Sequence, residues 1–279
     1  HAFSYLYTQL MKNHKYLLVA FLICCALGLP VTIFATTLGA NKPKEPKHVV
    51  FLISEDPLNY EAHLTVPPFA KMLDEKYENL KITVLKGEGT HGAYRFPNLE
   101  ILEEADLLVV FCRRLALPFD QMASIKNYLR SGKPLVGLRT ANHGFSVRDE
   151  VEEGFEGWWG FVPDILGCEN NGYFPEKLGT IVTAFPNAEG HPILADIDLK
   201  NWKSKGQVYK VKPIIDPNAV VLLNGKPRGK SDIEPIAWTR NTAYGGKVFY
   251  TSLGYPTDFK QAPFIQLLIN SIHWALKKK

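Results

Sequence analysis

The stretch KPLVGLRTANHGF, residues 133–145, holds the transition that decides the fold. The apolar run over residues 134–138 stops abruptly at Arg139, and the polar residues Asn142 and His143 follow within a few positions. An apolar run that ends in polar side chains and a glycine predicts a buried strand followed by a tight turn. Such a turn presents its side chains at the edge of a sheet.

The regions on either side alternate between strand and helix patterns. Four apolar runs are predicted as strands, at residues 48–53, 80–85, 105–112 and 134–138. Pro67 and Pro68 suit the start of one helix, and a second helix is predicted over residues 118–130. Further strands are predicted at residues 179–185, 220–223, 235–238 and 247–253, before a closing helix at residues 263–277. This alternation predicts an α/β fold with a parallel, doubly wound sheet.

Residues 1–40 differ in composition from the rest of the chain. They carry two lysines and no acidic residue, so without them the net charge falls from +4 to +2. A short basic region and an apolar run from Tyr16 to Leu29 predict a signal peptide, and hence a periplasmic or secreted protein. The alternative is a membrane anchor formed by residues 16–40.

The remaining chain is predicted to have a simple organisation. Residues 41–47 are a proline-broken linker, and residues 48–279 are expected to form a single domain. No basic stripe with interleaved aromatic residues occurs, so a nucleic-acid partner is not predicted. A membrane contact is expected only through the N-terminal segment, if it is uncleaved. Assembly of the chain into a homo-oligomer is left as an open alternative.

Polar residues follow several of the predicted strands. Glu55 and Tyr60 come after the first strand, Arg113 after the third, and the turn at Arg139 after the fourth. In open α/β sheets, ligands bind beyond the carboxyl ends of the strands. We therefore expect these segments to converge on one cleft, where Arg139 is either a fixed cation for a ligand or the partner of Asp56 or Glu55.

The turn resembles a nucleophile elbow in shape but not in chemistry. Arg139 occupies the nucleophile position, and a guanidinium cannot attack. Thr140 is a candidate nucleophile if His143 serves as its base, although a turn or cap role is the simpler interpretation. Asn142 and His143 together could hydrogen-bond a polyol, or His143 could be held by backbone groups.

Five segments carry a resemblance to a known family. They are VGLRTANHGF (136–145), FCRRLALP (111–118), GHPIL (190–194), EPIAWTRNTAYGGKVFYTSLGYPTDF (234–259) and LLINSIHWAL (267–276). In order and spacing the chain resembles the trehalose-utilisation (ThuA-like) proteins from about residue 48 to residue 276. The resemblance implies a class I glutamine amidotransferase-like, flavodoxin-like three-layer sandwich with a mostly parallel central sheet, and a link to oxidative sugar breakdown.

The resemblance also bears on the site. It covers Tyr255 and Asp258, which we add as substrate-binding candidates beside Tyr60, Thr140, Asn142 and Arg113. Amidotransferase activity is not implied, because that chemistry needs a cysteine where this chain has Arg139. The stretch GCENNGYFP (167–175) lacks the histidines that many members carry there, and Tyr255 stands where many have a histidine.

Two functional hypotheses remain at this stage. In the first, the protein is an enzyme that performs acid–base chemistry on an oxidised (keto) sugar, with Arg139, His143 and Glu55 as catalytic candidates. In the second, it is a non-catalytic module that binds a carbohydrate or joins a complex. No metal is predicted, since no histidine pair has ligand spacing, and no cofactor is predicted, since no nucleotide-binding loop occurs.

Overall fold

The structure is a computed structural model that describes residues 45–277. The predicted signal peptide or anchor and most of the predicted linker lie outside the described residues. The strands are β1 Lys47–Ile53, β2 Leu80–Lys86, β3 Glu88–Thr90, β4 Ala93–Arg95, β5 Leu107–Phe111, β6 Leu117–Pro118, β7 Leu135–Leu138, β8 Phe155–Glu156, β9 Thr180–Ala184, β10 Lys203–Ser204, β11 Val220–Lys226, β12 Glu234–Asn241 and β13 Lys247–Thr251. The α-helices are α1 Ala62–Lys76, α2 Phe119–Arg130 and α3 Ala262–Leu276.

Nine of these strands form one mixed central sheet in the order β10-β9-β11-β12-β13-β7-β5-β1-β2. From β13 to β2 every neighbouring pair is parallel. From β10 to β13 every neighbouring pair is antiparallel. The predicted α/β sandwich is confirmed, with a parallel half built by the alternating strands and helices and an antiparallel extension built by the second half of the chain.

Both faces of the parallel half are covered by helices. Along β1, Val49, Phe51 and Ile53 pack on the side of α1 and α3, whereas Val50 and Leu52 pack on the side of α2. Side chains alternate between the two faces of a strand, so a strand buried on both faces needs apolar residues at every position. This requirement explains why β1, β5 and β7 are continuous apolar runs in the sequence.

Helix α1 begins five residues before its predicted start. Pro67 and Pro68 lie inside the helix rather than at its first turn. Both are exposed, so water can satisfy the carbonyl groups of His63 and Leu64 that the missing proline N–H groups would otherwise bind. The helix therefore tolerates two prolines on its solvent face, and the predicted start is corrected to Ala62.

The strand order places a topological switch point between β1 and β5. The chain leaves β1 toward β2 through α1 on one face, and it leaves β5 toward β7 through α2 on the other face. At such a point the loops after two neighbouring strands diverge and leave a crevice. The loop after β1, the loop after β5 and the turn after β7 therefore meet at one edge of the sheet. Within residues 45–277, no helix is long and apolar enough to span a membrane.

Candidate functional site

The turn after β7 is a sharp elbow centred on Arg139. Arg139 has a φ of 41°, in the left-handed region, and it opens the 3₁₀ turn Arg139–His143. A non-glycine residue in this region costs on the order of 1 kcal/mol, so other contacts must hold it there. One of them is a hydrogen bond of 2.7 Å from the Tyr250 hydroxyl to the Arg139 carbonyl.

The guanidinium of Arg139 is buried and hydrogen-bonded through both of its terminal nitrogens, whereas its Nε has no hydrogen-bond partner among the described residues. Arg139 as a whole is only 1% exposed to solvent. Nη1 donates to the Ser252 carbonyl at 2.8 Å, and Nη2 donates to Gln207 Oε1 at 2.7 Å. Three tyrosine rings lie around the cation, those of Tyr60 at 3.9 Å, Tyr209 at 5.0 Å and Tyr255 at 5.6 Å. Cation–π contact of this kind stabilises a guanidinium that has left water.

The carboxylates considered as partners of Arg139 are engaged elsewhere. Asp56 accepts a hydrogen bond from Arg113 Nη1 at 3.0 Å and lies 2.6 Å from His91 Nε2. Burial alone would raise the pKa of Asp56, but the Leu58 N–H, His91 and Arg113 lower it below its ordinary value. The predicted alternative of an Arg139 salt bridge to Asp56 or Glu55 is therefore wrong.

Thr140 lies below the surface and is not activated. It is fully buried, and its hydroxyl donates to Asn59 Oδ1 at 2.5 Å. Asn59 in turn donates to the carbonyls of Ser54 and Phe111, which ties the turn to β1 and β5. A nucleophilic hydroxyl needs a general base as its acceptor. The contacts of Thr140 fit the turn role that the sequence favoured, not the nucleophile role.

His143 is the polar residue of the elbow that reaches open space. Its Nδ1 lies 2.5 Å from Asn142 Oδ1. With the amide oxygen of Asn142 as the acceptor, the imidazole proton is assigned to Nδ1 and the lone pair to Nε2, and Asn142 Nδ2 has no hydrogen-bond partner among the described residues. Burial, followed by the charges of Arg114, Arg113, Arg139 and Arg148, holds the pKa of His143 well below its ordinary value of 6.5. His143 is therefore a neutral imidazole at pH 7.

A cavity of about 540 Å³ opens above the elbow. Loops that follow β1, β5, β7 and β13 contribute to its wall, together with the irregular segment between β8 and β11. Its charged and aromatic lining residues are Tyr60, Glu61, Arg113, Arg114, His143, Arg148, Tyr173, Glu176, Tyr209 and Tyr255. Aromatic faces combined with hydrogen-bonding groups suit a polyhydroxylated ligand.

The family model described as trehalose utilisation, ThuA, matches residues 49–275. The chain belongs to the ThuA family. A comparison with curated proteins finds no match.

Two solved structures of ThuA-like proteins share the fold. The one from Bacteroides uniformis ATCC 8492 has a TM-score of 0.57 and 17% identity, over 86% of this chain and 96% of the other. The one from Parabacteroides merdae ATCC 43184 has a TM-score of 0.56 and 13% identity, over 84% of this chain and 91% of the other. At such identities the likeness shows the ThuA fold and leaves the chemistry of the site to the residues themselves.

The predicted site residues of this ThuA chain fall into three places. Tyr60, Arg113, His143 and Tyr255 line the cavity. Arg139, Thr140, Asn142 and Asp258 lie beneath it, each at most 1% exposed. The expectation that the whole turn lines the cleft is therefore wrong for all but His143, because the neighbouring loops close over the elbow.

Glu55 lies apart from both groups. It belongs to a neighbouring pocket of about 300 Å³ with Asp56, His91 and Asp149, rather than to the cavity of His143. Its carboxylate is half-exposed and bonds Lys86 Nζ at 2.6 Å. Glu55 and His143 thus do not face one volume, and of these two catalytic candidates only His143 lines the cavity above the elbow.

Asp258 organises the loop that carries Tyr255. Its Oδ2 accepts hydrogen bonds from Ser204 Oγ at 2.9 Å and from the backbone N–H groups of Gly254 and Tyr255 at 3.0 Å each. Burial raises the pKa of Asp258, although these hydrogen bonds oppose the rise. Asp258 acts on the cavity through the position of Tyr255 and does not touch the open volume.

Several lining residues escaped the sequence-based prediction. Arg114, which directly follows the predicted site residue Arg113, lines the cavity as well. Arg148 and Tyr209 come from segments outside the named strands and helices, and Glu176 begins the short 3₁₀ helix Glu176–Leu178. No periodic pattern marks these residues, and residues 170–210 contain only two tyrosines, Tyr173 and Tyr209.

Proposed function

We propose that this ThuA protein binds a carbohydrate in the cavity above Arg139 and performs acid–base chemistry on it, with His143 as the proton-transfer group. The observation that carries the proposal is the state of His143, a neutral imidazole that lines an open cavity. A base works best when it is unprotonated at the working pH and within reach of the ligand. His143 meets both conditions.

Tyr209 supplies a complementary hydrogen-bond donor. Its ring centroid lies 6.0 Å from that of His143, and it lines the same cavity. Burial raises the pKa of the Tyr209 phenol, so the group keeps its proton at pH 7. A phenol held protonated can donate a hydrogen bond to the carbonyl oxygen of a keto sugar while His143 takes a proton from the neighbouring carbon.

This assignment revises the roles expected from the sequence. Arg139 does not contact a ligand in the cavity; it supports Tyr60, Tyr209 and Tyr255 from below. Glutamine amidotransferase activity is excluded from the proposal, because the elbow position holds this buried arginine instead of a thiol. Export from the cytoplasm stays part of the proposal on the strength of residues 1–40, which lie outside the described residues.

The test measures binding and proton exchange separately. A thermal-shift screen against monosaccharides, disaccharides and their keto forms identifies a ligand, and NMR in D₂O then follows deuterium incorporation next to the keto group. We expect exchange with the native protein and a loss of at least about 100-fold in His143→Gln, in keeping with the contribution of a general base. Glu55→Gln is the matched control and should retain exchange.

The alternative is a carbohydrate-binding module without chemistry. It predicts a thermal shift with a sugar but no deuterium incorporation above the buffer rate, with or without His143. The open cavity that His143 shares with the carboxylates of Glu61 and Glu176 favours the enzyme. Absence of any thermal shift across the sugar panel, together with no exchange, would reject both forms of the proposal.

A further inference from the structure

Positive charge is distributed unevenly among the side chains of the cavity. Arg113 is compensated by Asp56 at 3.0 Å, and that carboxylate is one of the least exposed in the site. Arg114 and Arg148 also line the cavity, and within residues 45–277 neither has a carboxylate within ion-pair distance. These two cations face a volume that a ligand would fill.

Arg114 is held in place without an ion pair, and Asp149 acts on its charge only from beyond ion-pair distance. Its backbone adopts a φ of 55°, and its N–H donates to the His143 carbonyl at 2.9 Å. Nη1 donates to the Ser146 carbonyl at 3.0 Å, and among the described residues the other guanidinium N–H groups have no partner. A guanidinium presents five donors in a planar fork, so most of this fork remains available.

The neighbouring arginines repel the charge of Arg114. Burial, then the charges of Arg148 and Arg113, lower the pKa of Arg114, although the group remains protonated. Like charges gathered around a partly buried volume are unfavourable until an anion joins them. An anionic group between Arg114 and Arg148 would relieve this repulsion and use the free donors.

We propose that the ligand of this cavity is an acidic carbohydrate whose carboxylate or phosphate binds Arg114 and Arg148. The inference rests on the proposed carbohydrate function and narrows its ligand class. The acidic residues of the wall suit the other end of such a ligand. Glu176 already accepts the hydroxyl hydrogen bond of Tyr255 at 2.7 Å, and Tyr255 packs against Tyr60 at 5.8 Å, which forms a surface for hydroxyl groups and a sugar ring.

The test compares matched pairs of sugars that differ in one acidic group. Isothermal titration calorimetry at low salt measures affinity for glucose against glucuronate, galactose against galacturonate, and glucose against glucose 6-phosphate. We expect the acidic member to bind about 10- to 100-fold more tightly, as a charge-assisted bidentate contact provides. The uronates and the phosphate separate a carboxylate ligand from a phosphate ligand.

The variants assign the effect to the named side chains. Arg114→Gln should remove most of the difference within a pair and leave the affinity for the neutral sugar within about threefold. Arg148→Gln should reduce the difference less, because Arg148 is exposed and the surrounding water weakens the interaction of its charge with the ligand. Arg130→Gln, an exposed arginine at the end of α2, is the control and should leave every affinity unchanged.

Each outcome bears on one of the two proposals. Neutral sugars that bind as tightly as their acidic partners, with no effect of Arg114→Gln, would overturn the acidic ligand and leave the carbohydrate function standing. Binding of the acidic sugars that persists unchanged in Arg114→Gln would also overturn it. Failure of every sugar in the panel to bind would overturn the carbohydrate function itself, and the acidic ligand with it.

Discussion

Arg139 supports the wall of the cavity from below, although its place in the sequence suggested that it would bind a ligand. Its position at the elbow is the position of a nucleophile in other folds of this shape, yet its guanidinium points into protein and bonds Ser252 and Gln207. A buried arginine without a carboxylate in direct contact depends on neutral acceptors and on ring faces. The tyrosines whose rings contact the Arg139 guanidinium also form walls of the cavity, so a change at Arg139 is expected to change the shape of the cavity.

Replacing Arg139 with lysine should destabilise the protein despite the retained charge. An ammonium lacks the planar fork and cannot hold both acceptors while stacking on Tyr60. Loss of one hydrogen bond to a charged group costs about 1.5–3 kcal/mol of unfolding free energy. Urea denaturation of Arg139→Lys beside Arg130→Lys measures this, and equal stabilities for the two variants would contradict the supporting role.

A substitution at Gly206 tests the packing around the Arg139 guanidinium. A Cβ at this position would lie 2.8 Å from Arg139 Nη1 and 2.9 Å from Nη2. Gly206→Ala should therefore displace the guanidinium and lower the unfolding free energy by about 1–3 kcal/mol, as overpacking does. Gly190→Ala, where nothing lies within 4 Å of the added carbon, is the matched control. Similar melting temperatures for the two variants would show that the guanidinium has room to move.

At the scale of elements, the parallel half was predictable and the antiparallel half only in part. The strands β1, β5 and β7 are buried on both faces, so each is an unbroken apolar run that stands out in the sequence. The start of α1 was missed because Pro67 and Pro68 lie on its exposed face, where the sequence signal for a helix start and a tolerated interior proline look alike. The strand ends predicted the edge of the sheet at which the cavity opens.

The depth of each site residue could not be read from the sequence. Whether Arg139 or His143 faces the cavity depends on Gln207, Tyr209 and Tyr255, which belong to segments far along the chain. These segments lack a periodic pattern, and their packing is decided by tertiary contact. The turn over residues 139–143 therefore contains one side chain that lines the cavity and several that are buried. The local sequence does not encode which is which.

The elbow and strand β5 together predict that glutaminase activity is absent. Cys112 follows β5, is fully buried, and donates from Sγ to the Leu52 carbonyl at 3.2 Å. Burial raises the pKa of the Cys112 and Cys168 thiols, which keeps both unreactive. We expect no ammonia release from glutamine, and no reaction of either thiol with a disulfide reagent before unfolding, measured in a Cys24→Ser, Cys25→Ser background. Ammonia release that disappears in Cys112→Ser or Cys168→Ser would refute this.

At the scale of the whole molecule, folding places several histidines where the charged form is disfavoured. Burial is the main cause of a lowered pKa for His48, His143, His191 and His273, and at His143 four arginines add to it. In the unfolded chain these histidines bind protons near pH 6.5, whereas in the folded protein they bind protons only at lower pH. Stability from these groups is therefore complete above about pH 6.5 and is lost as the pH falls. Asp258 works in the opposite direction, because its pKa is raised in the folded protein.

We therefore predict that the unfolding free energy decreases as the pH is lowered from 7.5 toward 5, and that His143 is the largest single contributor. One histidine that stays neutral on folding accounts for at most about 1.4 kcal/mol per pH unit below its unfolded pKa. Urea denaturation across this range should give a shallower slope for His143→Gln than for the native protein. His191→Gln should change the slope less, because His191 is only half-buried and burial alone lowers its pKa. An unaltered slope in His143→Gln would mean that His143 titrates alike in both states, and the neutral base on which the proposed chemistry depends would be lost with it.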